Sequence, residues 1–166
     1  FLIKDLKCST KNPNVLIFID QEGGRVQRLN NEEFLKYSPQ KSFGDLYQID
    51  KSKALRLSYY SSYLMGCELS EIGVNVNFSP VCDIFFDFAH NVIGDRSFSS
   101  DPNVVLDLSI EFCKGLTDSG LIPVPKHFPG HGRSTTDTHK NVSIVDIAPN
   151  NLINSDLVPF RILKDL

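Results

Sequence analysis

Three short apolar runs, each closing on charged or polar residues, constrain this chain more than anything else in its 166 residues. The first, Val15-Leu16-Ile17-Phe18-Ile19, is rich in β-formers and stops at Asp20. An unbroken apolar run of that length suits a parallel strand buried on both faces. The second, Val74-Asn75-Val76-Asn77-Phe78, alternates apolar and polar, breaks at Ser79-Pro80 and leads on to Cys82-Asp83. The third, Leu121-Ile122-Pro123-Val124, is bounded by Gly120 and Pro125 and opens into Lys126-His127. Two helices are expected between them. Over 52–72, Leu55, Leu57, Tyr59, Tyr60, Tyr63, Leu64, Cys67 and Leu69 recur at broadly helical spacing, and the aromatic stripe reads as core packing. Gly73 is a natural stop. Asp101 as N-cap with Pro102 in the first helical position starts a second helix, running to about Asp118. Residues 39–44 read as a turn-rich connection, 143–146 as a short extended piece, and 155–166 as a final helix with Pro159 in its first turns. Strand, helix, strand, helix, strand is the order of an α/β fold with parallel strands.

The polar groups fall at the C-terminal ends of those strands, where both barrels and doubly wound sheets gather their ligands. Spacing alone fits either architecture. The densest cluster runs from Lys126 to His139 and holds three of the four histidines, a lysine and an aspartate. Pro129, Gly130 and Gly132 rule out a regular helix there, so this is a shaped loop mounted on a rigid strand. Asp137 and His139 lie two apart, close enough for the carboxylate to accept a ring N–H. That contact fixes the tautomer and raises the basicity of the imidazole. Lys126 and His127 are placed to donate hydrogen bonds to the hydroxyls of a polar ligand. A bland surface loop is the competing reading, and a metal site is another, because His127 and His131 are four apart as in helical zinc sites. Against metal, Pro129-Gly130 breaks the helix, no Glu follows the first His, and Lys126 adds repulsive charge. Asp83 invites the role of catalytic carboxylate. Gly23-Gly24 makes a sharp turn that lets backbone approach a ligand. On residues alone, Arg28 fits a surface pair with Glu22 or Glu32, and Arg96 a pair with Asp95 or Asp101.

A net charge of −3 gives no electrostatic case for nucleic acid or an anionic membrane. No apolar run approaches the roughly 20 residues that span a bilayer. Cys8, Cys67, Cys82 and Cys113 are scattered. Their even count allows two disulfides, but three sit in apolar segments and read better as reduced, partly buried thiols. A reducing cytoplasm is the expected setting. The N-terminus has neither an initiator Met nor a signal-peptide layout. With no repeat, low-complexity tract or linker, 1–166 reads as a single domain.

Lys126-His127-Phe128-Pro129-Gly130-His131-Gly132, followed by Asp137-Thr138-His139, resembles the signature of family-three glycoside hydrolases, in their β-N-acetylhexosaminidase (NagZ-type) branch. Three further stretches are similar to the same family. They are Ile19-Asp20-Gln21-Glu22-Gly23-Gly24-Arg25-Val26-Gln27-Arg28, the run from Gly73 to Asp83, and Gly94-Asp95-Arg96-Ser97-Phe98. The resemblance covers about residues 13–162 and implies a (β/α)8 TIM-type barrel. It implies that His139, held by Asp137, is the general acid/base, and that Asp20, Arg28, Arg96, Lys126 and His127 contact the sugar. Asp83 becomes a structural or substrate-pocket residue. The implied partner is a small carbohydrate, a terminal β-linked N-acetylglucosaminide, with cell-wall muropeptides as its expected source and no metal or cofactor. A whole barrel takes about 250 residues, so this chain is expected to be an incomplete one, the first half or slightly more. The family's nucleophile, an Asp on a later strand, has no match before Leu166, and without it the two-step retaining mechanism cannot run. An open half-barrel is expected to expose strand edges. A β-glucosidase-like relative and a non-catalytic sugar-binding remnant are the other readings; the Asp-Thr-His triplet argues against the first.

Overall fold

A computed structural model describes residues 2–10, 12, 14–137 and 142–164. In chain order the elements are α1 (Leu2–Thr10), β1 (Phe18–Ile19), β2 (Gln21–Gly23), β3 (Val26–Gln27), α2 (Gln40–Tyr47), α3 (Lys51–Glu71), β4 (Val76–Asn77), a 3-10 turn (Gly94–Arg96), α4 (Pro102–Asp118), β5 (Ile122–Pro123), α5 (Pro149–Ile153) and α6 (Val158–Leu163). The three apolar runs pair in parallel in the order β1-β4-β5, and β2 and β3 form a separate antiparallel hairpin. Phe18 pairs with Val76 and Ile19 with Asn77; Val76 pairs in turn with Ile122 and Asn77 with Pro123. A further parallel bridge, Val81 to Lys126, carries the register on into the loops. Among the described residues the sheet is open and does not close into a barrel.

The pleat decides which side is covered. Asn77 Nδ2 reaches the Met65 sulfur of α3 at 3.4 Å, and Ile17 and Ile19 pack on the helical core. Phe18, Val76 and Ile122, one register position away, therefore share the opposite face. Val15–Ile19 is thus not a strand buried on both faces. Leu16 and Phe18 are each 50% exposed, because among the described residues β1 pairs with β4 alone and the helices cover one side.

Helices α3 and α4 supply most of the core. The Asp50 carboxylate accepts the Lys53 N–H at 2.9 Å to cap α3, and Asp101 accepts the Asn103 N–H at 2.8 Å to cap α4, with Pro102 in its first turn as the sequence predicts. The buried stripe of α3 is Ala54, Ser58, Ser62, Met65, Gly66 and Leu69 rather than the aromatic one. Small residues win that face because α4 lies so close: a Cβ on Gly115 would collide with the Tyr59 carbonyl and the Ser62 hydroxyl. The tyrosines are displaced to the flank, where Tyr60 is 56% exposed and Tyr59 donates to Asp118 at 2.9 Å.

Another expectation needs correction. Residues 40–47 form α2 rather than turns, since Phe43 and Leu46 join the core and the Gln40 side chain bonds both the N–H and the C=O of Val81. The final segment holds the expected helix as α6, shorter than 155–166 but with Pro159 in its first turn, and α5 precedes it. The turn between α5 and α6 carries Asp156, buried against Arg133 at 2.8 Å. Residues 143–146, expected as a short extended piece, pair with no strand among the described residues.

Candidate active site

Each strand delivers its polar residues to the same end of the sheet. Asp20 follows β1, Asp83 follows β4 and Val81, and Lys126-His127 follows β5, with the Lys126–His127 peptide in the cis form. The hairpin β2–β3 and the 3-10 turn bring two more groups alongside, Glu22 and Arg96. Asp20, Glu22, Val26, Arg28, Val92, Ile93, Arg96, Lys126, His127 and His131 surround one cavity of about 350 Å³. That is near the lower end of the range for small-ligand sites, about 300–1,000 Å³. Cavities of 480 and 490 Å³ also exist, one between α1 and the end of α3 and one beside α6. Their walls are mostly apolar, with few convergent polar groups.

The site is a linked run of charged and polar groups. Lys126 Nζ lies 2.6 Å from Asp20 Oδ1 and 2.5 Å from Glu22 Oε1. Glu22, 2% exposed, also holds Arg96 through two bonds, Nε to Oε2 at 2.8 Å and Nη2 to Oε1 at 3.0 Å. Arg28 stands off Asp20 at 3.8 Å, on the solvent side. Arg96 Nη2 faces His127 Nε2 at 3.3 Å, and His127 Nδ1 meets the buried Asp83 carboxylate at 2.5 Å. Asp83 Oδ1 also accepts the His131 backbone N–H at 2.6 Å. Burial pushes the Asp20 carboxyl up, but the hydrogen bond and charge of Lys126, joined by Arg28 and Arg96, outweigh it and hold the group below the usual carboxylate range. Burial likewise disfavours the Arg96 cation, and Glu22 more than offsets it.

A second clamp fixes the wall of the cavity. From the hairpin tip, Arg25 Nη2 donates to the carbonyls of Asn91, Val92 and Ile93 at 2.8, 2.9 and 3.0 Å, while its Nε bonds Asp95 at 2.8 Å. The hairpin and the 91–96 segment are therefore joined twice, at the cavity by Glu22–Arg96 and at the rim by Arg25.

All five residues that the resemblance assigns to sugar contact, Asp20, Arg28, Arg96, Lys126 and His127, line this one cavity. Neither surface pairing read from the residues alone for Arg28 and Arg96 forms; their partners are Asp20 and Glu22. Asp137 is half-buried and does not line the cavity. His139 lies outside the described residues. Glu22 was missed as a site residue, although an extended segment puts Asp20 and Glu22, two apart, on one side. Among the described residues no group of three or more His, Cys, Asp or Glu forms a metal site. His127 and His131 have ring centroids 5.8 Å apart, and His127 Nδ1 is already committed to Asp83.

What can this arrangement bind? Every cation named above is matched by a carboxylate, so the site has little residual charge to offer a phosphate or a carboxylate ligand. It does present many fixed donors and acceptors, which suits a neutral polyol.

Residues 3–165 match the model of the glycosyl hydrolase family 3 N-terminal domain. The chain is 37% identical over 155 residues to a β-hexosaminidase of Nitrosomonas eutropha, covering 93% of this chain and 44% of that protein. It superposes on native NagZ from Neisseria gonorrhoeae with a TM-score of 0.87 and 34% identity, over 92% of this chain and 44% of NagZ. The fit is the same, a TM-score of 0.87, to that NagZ in complex with N-trifluoroacetyl-D-glucosamine. The chain thus spans less than half the length of the relatives it matches.

Proposed function

Since this chain belongs to the glycosyl hydrolase family 3 N-terminal domain family, we propose that it carries the sugar-holding and acid/base half of a retaining β-N-acetylhexosaminidase site. The observation that carries the reading is the charge-balanced cavity at the strand ends, lined by Asp20, Arg28, Arg96, Lys126 and His127. Those five residues hold the hydroxyls of a terminal β-linked N-acetylglucosamine. His139, oriented by Asp137, protonates the leaving oxygen and later takes a proton from water. A carboxylate on a later strand, as the family resemblance implies, forms the glycosyl-enzyme between the two steps. The relative crystallised with an N-acylated glucosamine supports the choice of sugar. Peptidoglycan fragments are the proposed source of substrate and the cytoplasm the proposed setting. The buried Cys82 and Cys113 thiols, both pushed up by burial and the second to about 12, are inert and suit a reducing compartment.

The test is hydrolysis of 4-nitrophenyl N-acetyl-β-D-glucosaminide by the full gene product. The N-acetylglucosaminide should be cleaved in strong preference to the corresponding glucoside. His139→Ala should lose about 10²–10⁴ in rate, the usual worth of general acid/base help. Equal cleavage of the glucoside refutes the sugar assignment, and undiminished turnover by the variant refutes the dyad. The 166 residues alone should turn over neither substrate.

A further inference from the structure

We infer that Asp83 is a positioning residue that sets the tautomer of His127, leaving Nε2 bare to accept a hydrogen bond from a sugar hydroxyl; the second half rests on the sugar-binding reading above. The Asp83 carboxylate is 1% exposed and holds three donors: His127 Nδ1 at 2.5 Å, the His131 N–H at 2.6 Å and, more loosely, the His127 N–H at 3.4 Å. An ionised carboxylate only accepts, so Nδ1 carries a proton. On the other side of the ring, Nε2 faces Arg96 Nη2 at 3.3 Å. A guanidinium only donates, so Nε2 must offer a lone pair. Two neighbours from different parts of the chain demand the same tautomer.

The consequence is a division of labour in the cavity. Arg96 makes its shorter bonds to Glu22, and its 3.3 Å approach to His127 is the longest it makes, so an incoming hydroxyl can replace it there. Lys126, on the same cavity wall, only donates. A ligand oxygen touching both residues must accept from Lys126 and donate to His127, which a hydroxyl does and an ether oxygen cannot. His90 provides a contrast within the same chain. Its Nδ1 accepts the Val92 N–H at 3.1 Å, the reverse of His127.

The tautomer is read on the free 166-residue chain by long-range ¹H–¹⁵N NMR of labelled histidine at neutral pH. The His127 signals are identified by their loss in His127→Gln. We expect a protonated Nδ1 and an unprotonated Nε2, opposite to His90. A proton on Nε2 overturns the inference without any sugar being added. In Asp83→Asn the carboxamide oxygen still serves the His131 N–H while its NH₂ turns to the ring. The proton should move to Nε2, and N-acetylglucosamine should bind about tenfold more weakly. An unchanged tautomer in the folded variant overturns the positioning role. Should the variant not fold, the wild-type spectrum decides alone. Adding N-acetylglucosamine to wild type should shift Nε2. If Nε2 stays still while other cavity groups move, the acceptor role is refuted; if no group moves, the sugar reading falls and the tautomer stands on its own.

Discussion

Glu22 binds two cations with one buried carboxylate, and its removal should be felt by both. Arg96 and Lys126 are 13% and 14% exposed, so Glu22→Ala leaves two largely buried charges with weaker partners. Breaking such a pair costs about 3–5 kcal/mol. Glu22→Gln, which keeps an acceptor, should cost less, and the ordering can be checked by urea unfolding. Asp20 makes a different prediction. Its carboxyl titrates below the ordinary value of 3.8 when folded, so the stability it confers is complete above that value. It fades as pH falls through the lower, folded one. The melting-temperature gap between wild type and Asp20→Asn should therefore be constant from about pH 8 to 5 and close in strong acid. A gap that closes nearer pH 6 would mean that the Lys126 pairing does not govern the group.

At the scale of elements, α3 and α4 pack closely enough at Gly115 to leave no room for a Cβ. Gly115→Ala should lower stability by about 1–3 kcal/mol through overpacking, whereas Asp101→Ala, which removes only the α4 cap, should cost about 1 kcal/mol. Thermal denaturation of the two variants gives the order directly. The α4 cap was legible in the sequence because Asp101-Pro102 acts locally. So were the three strands, because each apolar run ends in polar residues. The inner face of α3 was not legible. Its composition suggested an aromatic core, but the approach of α4, some fifty residues later, selected Ser58, Ser62 and Gly66 instead. The α2 helix escaped for a similar reason, since Gln40 is held by Val81 across the fold. The site divides the same way. Asp20, Lys126 and His127 announce themselves at strand ends, while Glu22 acquires its role only when Arg96, 74 residues away in sequence, is folded against it.

Across the whole molecule, the sheet has one face under helices and one with little cover. Phe18, 50% exposed, and Ile122, 53% exposed, flank the buried Val76 on the open side. An apolar strip of this kind promotes association. Ile122→Thr should reduce the concentration-dependent light scattering of the chain without altering its helical circular dichroism. The polar end of the same sheet is where function is assigned, with its cations and carboxylates matched one against another around a cavity of about 350 Å³. That balance is the ground for assigning the site to a neutral sugar. The most direct test is a titration of the ¹⁵N-labelled 166-residue chain with N-acetylglucosamine, with inorganic phosphate as the contrasting ligand. The account predicts saturable shifts from the sugar at Glu22, Arg96, Lys126 and His127, and weak or scattered shifts from phosphate. Tight phosphate binding at these residues, with none from the sugar, would contradict it.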